Sequence, residues 1–406
     1  MALVARRVIP YVLVVLASAW IASTITLPGD WEVDSWPAVH VLASGDIGSY
    51  LSATPMMGPF ATLVQAPFVA LSGSSGIEAY RWAAFPCLLA AGLLGVYLSG
   101  TAGRRGAGPL GRFFLAAVCV FNPLTFQALQ AGHPEEILTA ALAVGAIAAA
   151  AEGRRWQAGV LIGLAVASKQ WAVIAILPTL MALPGGRLRA AAVAAAVAAL
   201  LMLPGFAASP SSFLGVQEEA ASTGRVVTPW SAWYPAASSV REVHEVGGHR
   251  LVADRIEAPS PAGPLSHPLI VLLALAIPVA VAIRKRLPIT GSEAMALLAL
   301  LALLRCALDP VDNLYYHAPL LLALVGWDAF SPRGAPLRSL FGLVAAAFFW
   351  RAARESIDPA TFNLVYLAVV VAAGILISSS VFGRSTGRAF NRSNFSLQGA
   401  PISGIK

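Results

Sequence analysis

Twelve stretches of this chain are apolar and close to the length that a helix needs to cross a lipid bilayer. That length is about 20 residues, because the hydrocarbon core is about 30 Å thick and an α-helix rises about 1.5 Å per residue. The first stretch is Val8–Leu27 and the last is Phe362–Val381. Only 12% of the residues are charged, whereas about 25% are charged in soluble domains. The sequence therefore predicts an all-α, multi-pass membrane protein, built as a bundle of about twelve transmembrane helices.

The apolar stretches between the first one and the last one differ in length. Trp156–Ser168 and Trp171–Leu183 would each be only about 20 Å long as helices, which predicts two short helices with a break between them. Pro59–Leu71 is an additional apolar segment that is short and bounded by prolines, and we interpret it as interfacial or re-entrant. The remaining stretches are Ile77–Ser99, Gly111–Gln130, Glu135–Ala151, Leu188–Leu203, Pro268–Ile283, Glu293–Leu308, Tyr316–Phe330 and Leu337–Trp350.

Charged residues are sorted between alternate loops. With the N-terminus placed in the cytoplasm, the inner loops and tail hold 18 of the 27 arginines and lysines, and the outer loops hold 17 of the 20 acids and all 6 histidines. Cytoplasmic loops of membrane proteins are enriched in Lys and Arg. Both termini are therefore predicted to be cytoplasmic, with a site of acids and histidines on the outer face of the plasma membrane. The net charge of +7 hides this sorting, which indicates membrane orientation and argues against nucleic-acid binding.

We interpret residues 1–383 as one transmembrane domain. Two outer segments interrupt it, an acidic first loop at 28–58 and a long loop at 205–267 that is rich in Pro, Ser and Gly. The tail at 384–406 is basic and polar, which predicts disorder in the cytoplasm. The three cysteines fall inside apolar runs without paired spacing, so they predict neither a disulfide nor a zinc site. Scarce lysine beside abundant arginine and alanine indicates a bacterial genome rich in G and C.

Three acids and two tryptophans crowd together just after the first apolar stretch. They are Asp30, Glu32 and Asp34, with Trp31 and Trp36 beside them. Carboxylates at a membrane boundary are costly to bury and are kept mainly for partners or chemistry. Partial desolvation raises the pKa of a carboxyl, which helps it take a proton from a hydroxyl. We therefore predict a general base, with Asp34 as the first candidate. The alternative is a solvated loop whose acids only mark the outer face.

A second candidate segment is GHPEE, which begins a helix at an outer loop. Pro134 at the first helical position, with Glu135 and Glu136 in the first turn, is typical of a helix N-terminus. That structural interpretation does not explain His133. We predict that His133, Glu135 and Glu136 hydrogen-bond substrate. A metal contact is the open alternative, although His-x-Glu alone is too short to indicate a metal site.

The break between the two short helices reads SKQW. Lys169 is the only lysine away from the predicted cytoplasmic loops and tail. A cation at such a break, next to the N-terminus of the following helix, suits an anionic ligand. We predict that Lys169 and its neighbour Gln170 bind a phosphate. The alternative is a lysine that snorkels to the interface.

The segment DPVDNLYYH follows a helix that ends near Arg305. Asp309, Asp312, His317 and Arg305 are candidates to meet the first loop in space. Tyr316 is a further candidate for binding substrate, and Arg305 is a second candidate cation for phosphate. The alternative for the tyrosines is an aromatic belt at the membrane interface.

Together these segments resemble the membrane glycosyltransferases of the GT-C superfamily, and in particular glycosyltransferase family 87. The resemblance rests on DSWPAVHVLASGDI, NPLTFQALQAGHPEE, GVLIGLAVASKQWAVIAILP and DPVDNLYYHAPLLLAL, which follow one another along the chain. It implies an inverting transfer of a sugar, mannose in this family, from a polyprenyl phosphate to a lipid or glycan acceptor. Arabinose or another sugar stays open.

The resemblance also implies roles for single residues. The base of the family maps best onto Asp34 and second onto Asp30, and a late outer-loop histidine maps onto His317. Where the family has Asp-Leu-x-Val-Tyr, this chain reads DSWPA, which leaves a different donor or acceptor open. No cofactor and no divalent metal are expected. A transporter or flippase for a lipid-linked or anionic substrate is the alternative from another functional class, and a non-catalytic membrane scaffold is the third.

Overall fold

The computed structural model describes residues 2–53, 58–221, 226–246, 249–259, 262–285, 287–332, 335–355 and 357–383. Over these residues the chain is almost entirely helical. The α-helices are α1 (Ala2–Ser23), α2 (Trp31–Asp34), α3 (Trp36–Ala43), α4 (Ile47–Ala53), α5 (Pro59–Ser72), α6 (Gly76–Arg104), α7 (Pro109–Val118), α8 (Pro123–Ala131), α9 (Pro134–Ala151), α10 (Arg155–Ser168), α11 (Ile176–Ala182), α12 (Arg187–Ala208), α13 (Pro210–Ala221), α14 (Ala262–Arg284), α15 (Gly291–Leu308), α16 (Ala318–Phe330), α17 (Leu337–Ala352) and α18 (Pro359–Phe382). Short 3₁₀ helices cover Gln170–Ala175, Tyr234–Ala236 and Leu314–His317.

Seven helical segments of the described chain are long and apolar enough to cross a membrane. They are Gly76–Arg104, Pro109–Ala131, Pro134–Ala151, Arg187–Ala208, Ala262–Arg284, Gly291–Leu308 and Pro359–Phe382. Shorter apolar helices cover Val8–Ser23, Pro59–Ser72 and Gln170–Ala182. The protein is therefore a multi-pass, helical membrane protein, and the total of about twelve spans stays a prediction.

The structure divides one predicted helix and confirms one predicted break. The stretch predicted over Gly111–Gln130 divides into α7 and α8, because Asn122 is extended and its side chain accepts a hydrogen bond of 2.9 Å from the Thr125 N–H, with Pro123 next in the chain. The predicted break between the short helices is confirmed, since Lys169 is extended between α10 and the 3₁₀ helix Gln170–Ala175.

Helix α9 lies at the centre of the bundle and packs against α6, α10, α15 and α16. Its alanine-rich sequence keeps side chains small, which lets neighbouring helices approach closely. Small residues also allow α10 and α12 to pack closely. A Cβ on Gly159 would lie 2.7 Å from the Ala190 carbonyl oxygen, and a Cβ on Gly163 would lie 2.7 Å from the Ala194 carbonyl oxygen. Because Gly159 and Gly163 are four residues apart, they lie on the same face of α10, and α12 packs against that face.

The two ends of the bundle differ in charge. At one end, which we call the basic end, Arg104 lies 2.7 Å from Glu152, Lys285 lies 2.6 Å from Glu293, and Arg338 lies 2.9 Å from Asp328. The opposite end, which we call the acidic end, contains Asp30, Asp34, His133, Glu135 and Asp309. Alternate loops therefore gather at opposite ends, as the alternation of charge along the sequence predicts.

Both long outer segments contain secondary structure. The first is folded into α2, α3 and α4 rather than an open loop. In the second, α12 continues to Ala208, α13 follows, and a β-hairpin forms from β1 (Ser238–Val246) and β2 (His249–Glu257). The predicted disordered tail at 384–406 lies outside the described residues.

Candidate active site

Two glycines allow the segment after α1 to pack against the turn between α8 and α9. Gly29 and Gly132 have φ of 55° and 92°, a region that favours glycine. A Cβ on Gly29 would lie 2.4 Å from the Ala131 carbonyl carbon, and a Cβ on Gly132 would lie 2.4 Å from the Trp31 nitrogen. The Asp30 N–H donates a hydrogen bond of 2.9 Å to the Ala131 carbonyl. The backbones therefore touch directly, which brings the first acids beside GHPEE.

The Trp31 side chain supports this contact between the two backbone segments. Its side chain is fully buried, and its indole N–H donates a hydrogen bond of 2.9 Å to Oε1 of Gln65 on α5. Its ring lies against those of Trp36 and Tyr80, at centroid distances of 5.2 and 5.1 Å. The Tyr80 hydroxyl in turn donates 2.6 Å to the Leu129 carbonyl at the end of α8. Trp31 is therefore a packing residue, and Gln65 is a site-supporting residue that sequence reasoning did not identify.

His133 connects the first acids with the helix behind them. Its Nε2 lies 3.3 Å from Oδ2 of Asp30, and its Nδ1 lies 3.0 Å from Oε1 of Glu135. The Asp30 side chain is 71% exposed, whereas that of Glu135 is fully buried. The imidazole also stacks on the ring of Tyr315, at 5.1 Å between centroids. His133 therefore lies at the boundary between solvent and the buried charges.

Four buried charges form a network behind His133. Nζ of Lys169 lies 3.0 Å from Oε1 of Glu135 and 2.8 Å from Oε2 of Glu136, and Nη1 of Arg305 lies 3.1 Å from Oε1 of Glu136. Both glutamates are fully buried, and the Lys169 and Arg305 side chains are 17% and 8% exposed. Buried ions need paired charges to offset their desolvation, and two cations here offset two anions. The glutamates predicted to bind substrate are thus also the partners of the predicted phosphate-binding cations.

Arg305 is held between two aromatic rings. Its guanidinium carbon lies 5.1 Å from the centre of the Trp171 ring and 4.6 Å from that of Tyr316. Such contacts favour a cation over the ring face and fix its orientation. Trp171 follows Gln170, which is exposed at the start of its 3₁₀ helix. Trp171 is a site residue that the sequence analysis did not select, although it belongs to the SKQW motif.

Asp34 is half-buried near this network. It lies one helical turn after Asp30, and its N–H donates 2.8 Å to the Asp30 carbonyl. Burial raises the pKa of the Asp34 carboxyl, His133 opposes the rise, and the negative charges of Asp30 and Glu135 add to it. A half-buried carboxyl with a raised pKa is a stronger proton acceptor than an exposed aspartate. Glu32, on the same short helix, is exposed.

His317 and Asp309 are not part of the charge network. Nε2 of His317 lies 2.9 Å from the Tyr366 hydroxyl on α18, and Nδ1 lies 3.0 Å from the Leu314 carbonyl. Asp309 accepts a hydrogen bond of 3.1 Å from the Val311 N–H and faces Nε2 of His267 at 3.8 Å. In the described part of the chain, no hydrogen bond or ion pair joins either residue to Asp34. No sequence signal pointed to Tyr366.

An apolar cavity of about 370 Å³ extends beside His317 between α15, α16, α17 and α18. His317, Tyr366 and Trp230 line it towards the acidic end, and Arg338 and Ser380 line it towards the basic end. Leucine, alanine and phenylalanine side chains cover most of the walls between them. The cavity is therefore suited to a long apolar chain that lies parallel to the helices.

The chain matches the model of a known protein family. A model of glycosyltransferase family 87 matches residues 57–310, a range that includes the charge network but neither Asp34 nor His317. No curated protein matches the chain significantly. The crystal structure of ArnT from Cupriavidus metallidurans bound to undecaprenyl phosphate is similar in fold, with a TM-score of 0.50 and 17% identity, over 93% of this chain and 71% of that one. The ArnT structure in the apo state gives 0.48 and 16%, over 94% and 71%.

The family match covers well over half of the chain, and the fold of the whole chain is similar to that of ArnT. This confirms the resemblance drawn from the sequence motifs. The protein is therefore a membrane glycosyltransferase that belongs to glycosyltransferase family 87.

Proposed function

We propose that the protein transfers a sugar from a polyprenyl phosphate to a hydroxyl of a lipid or glycan acceptor, with inversion at the anomeric carbon. The observation that supports this most directly is the run of contacts from Asp30, whose carbonyl accepts a hydrogen bond from the Asp34 N–H, through His133 and Glu135 to Lys169. A proton acceptor and a phosphate-binding cation are thus neighbours at one end of the bundle. The undecaprenyl phosphate bound to ArnT is a molecule of the same chemical class as the proposed leaving group.

Asp34 acts as the general base in this proposal. Its carboxylate takes the proton of the acceptor hydroxyl while the hydroxyl oxygen attacks the anomeric carbon. The bond between that carbon and the phosphate oxygen breaks, and its electron pair leaves with the polyprenyl phosphate. Asp30 is the second candidate, because it is exposed and contacts His133. His317 is left out of the transfer step, because no hydrogen bond or ion pair among the described residues joins it to Asp34.

Lys169 and Arg305 stabilise the charge that develops on the leaving phosphate. An ammonium has three N–H donors, and Lys169 has ion pairs with two carboxylates among the described residues, so we infer that its remaining N–H can bind an oxygen of the donor. Fixed cations placed where charge develops lower the barrier, because they need no reorganisation during the reaction. We expect transfer to need no added divalent metal, since these side chains supply the positive charge.

The orientation of the protein in the membrane and the binding site of the lipid chain complete the proposed function. The acidic end faces the outside of the plasma membrane, with both termini in the cytoplasm, because the basic loops gather at the opposite end. The apolar cavity between α15 and α18 takes the isoprenoid chain of the donor or an acyl chain of the acceptor. Mannose is the first sugar to test.

The test uses purified protein in lipid nanodiscs with labelled polyprenyl-phosphomannose and an extract of envelope lipids. Wild type, Asp34→Asn and the matched control Glu32→Gln are compared, since Glu32 is an exposed acid on the same helix. We expect transfer by wild type and Glu32→Gln, and donor binding without transfer by Asp34→Asn. Equal transfer by all three would exclude Asp34 as the base and leave Asp30. No donor binding by wild type would refute the mannosyl donor, and a panel of other polyprenyl-phosphate sugars would then be screened.

A further inference from the structure

Three potential metal ligands meet beside the charge network. Cys306 lies near the end of α15, Asp312 lies in the turn that follows, and His317 ends the 3₁₀ helix before α16. The cysteine sulfur, a carboxylate oxygen and an imidazole nitrogen all lie within 4.8 Å of one another. None of these three side chains has a role in the proposed transfer step.

The Asp312 carboxylate has no hydrogen-bond partner among the described residues. The residue is fully buried, and both carboxylate oxygens are unpaired, although its backbone carbonyl accepts a hydrogen bond of 2.6 Å from the Thr228 hydroxyl. Nε2 of His317 is its nearest cation candidate, at 3.7 Å. A buried carboxylate without a partner is costly, and buried charges are normally paired or bind a metal. One carboxylate oxygen lies within 4.8 Å of the cysteine sulfur and of a histidine nitrogen.

The second ring nitrogen of His317 is held as in many metal sites. Its Nδ1 lies 3.0 Å from the Leu314 carbonyl, and this contact places the proton on Nδ1. The lone pair of Nε2 then faces Asp312 and the Tyr366 hydroxyl, which lies 2.9 Å away. Histidines that bind metal commonly donate their other N–H to a backbone carbonyl in this way.

We propose that Cys306, Asp312 and His317 bind one zinc ion. A thiolate, an imidazole and a carboxylate suit Zn²⁺, whereas Mg²⁺ and Ca²⁺ prefer oxygen ligands alone. The two negative ligands balance the charge of the ion, so the filled site is neutral in its buried surroundings. The Tyr366 hydroxyl lies 2.9 Å from Nε2 of His317, so a bound ion would displace that hydrogen bond. The sequence predicted no zinc site, because the single cysteine has no second cysteine or histidine at a fixed short spacing.

A zinc ion here would fix the end of α15 against the turn that follows it. Arg305 and Tyr316 are the immediate neighbours of Cys306 and His317 in the chain, and the Arg305 guanidinium lies on the Tyr316 ring. The ion would therefore hold Arg305 in its orientation without contacting substrate. This is a structural role, distinct from a metal that would act on the donor phosphate.

The first test is the metal content of the full-length protein, purified in detergent without chelators and analysed by plasma mass spectrometry. We expect about one zinc per chain in wild type. Cys306→Ser and Asp312→Asn should lose it, whereas Cys119→Ser should keep it. Cys119 is an equally buried cysteine directly after α7 whose thiol donates to the Leu115 carbonyl, so it controls for the loss of a buried thiol. Size-exclusion profiles verify that each variant is folded.

A second test needs no variant. Wild type stripped of metal is titrated with Co²⁺, and a thiolate-to-cobalt charge-transfer band in the near ultraviolet is expected, saturating at one equivalent and displaced by Zn²⁺. Absence of both zinc and the cobalt band in wild type would overturn the proposal and leave Asp312 as a neutral carboxylic acid. Zinc that remains in Cys306→Ser would overturn it as well.

Discussion

Nη1 of Arg305 lies 3.1 Å from Oε1 of Glu136, although 169 residues separate them in the chain. The contact joins the end of α15 to the start of α9, and Lys169 reaches the same glutamate from the break after α10. Three segments are thus held together by charges that are buried from solvent. In the proposed function, stability and donor binding depend on the same side chains, and the two effects can be separated by experiment.

Loss of one partner of this pair should destabilise the protein more than loss of both. Glu136→Gln leaves Arg305 without its carboxylate, and breaking a buried ion pair in this way costs about 3–5 kcal/mol. The double variant Glu136→Gln/Arg305→Met should recover part of the loss, because no uncompensated cation remains. Thermal unfolding in detergent measures the order of the three proteins. A double variant less stable than Glu136→Gln would show that the pair is not the source of the effect.

Glycine at position 132 should be required for its small size as well as its backbone angle. In Gly132→Ala the methyl group would meet the Trp31 nitrogen at 2.4 Å, and positive φ adds about 1–2 kcal/mol for a residue with a Cβ. Gly45→Ala is the matched control, since Gly45 has φ of +84° but nothing within 4 Å of an added Cβ. We expect Gly132→Ala to lose most transfer activity and Gly45→Ala to keep it. Equal losses of transfer activity in the two variants would show that the positive φ causes the effect, and not the contact with Trp31.

The rate of transfer should fall on the acid side at a pH above the ordinary aspartate pKa of 3.8. Burial raises the pKa of Asp34, so its carboxyl becomes protonated, and inactive as a base, at a higher pH than an exposed aspartate. The negative charge of Asp30 adds to this rise. Asp30→Asn should therefore shift the acid limb of the pH–rate profile to lower pH while activity at neutral pH is kept. Complete loss of activity in Asp30→Asn would instead identify Asp30 as the base.

Removal of the Lys169 charge should weaken donor binding. We expect Lys169→Met to raise the dissociation constant for the polyprenyl-phosphate sugar by at least about tenfold, since truncating one partner of a buried charge pair costs about 2–5 kcal/mol. Lys285→Met is the control, because Lys285 is also a well-buried lysine, paired with Glu293 at the basic end. Binding is measured with labelled donor in nanodiscs. An unchanged constant in Lys169→Met would restrict that lysine to a structural role.

Blocking the apolar cavity should affect long substrates more than short ones. Ala373→Trp places a large side chain into the cavity wall on α18, whereas Ala372→Trp, one residue earlier, changes an exposed position outside the lining. We expect Ala373→Trp to reduce transfer with a full-length polyprenyl donor and to spare a donor shortened to a few isoprene units. If both donors are affected equally, the cavity does not hold the donor chain.

Much of this architecture could be predicted because its signals are local. Hydropathy located the apolar helices, since every backbone group inside a bilayer must find its partner within its own helix. Asn122 and Pro123 are also local signals. They explain why the stretch Gly111–Gln130, which was predicted as one helix, is divided into α7 and α8. The motifs that resemble the family contain His133, Glu135, Glu136 and Lys169, all of which meet at one site.

By itself the sequence determined that the chain spans the membrane repeatedly, that its acids and histidines gather at one end, and which family it resembles. Only the tertiary structure decided which charges are partners. Lys169 and Arg305 were predicted as phosphate ligands, and they are paired with Glu135 and Glu136, because buried ions must be neutralised wherever packing places them. His317 was expected beside Asp34 and faces Tyr366. Helix packing sets such pairings across distances in the chain that no local pattern encodes.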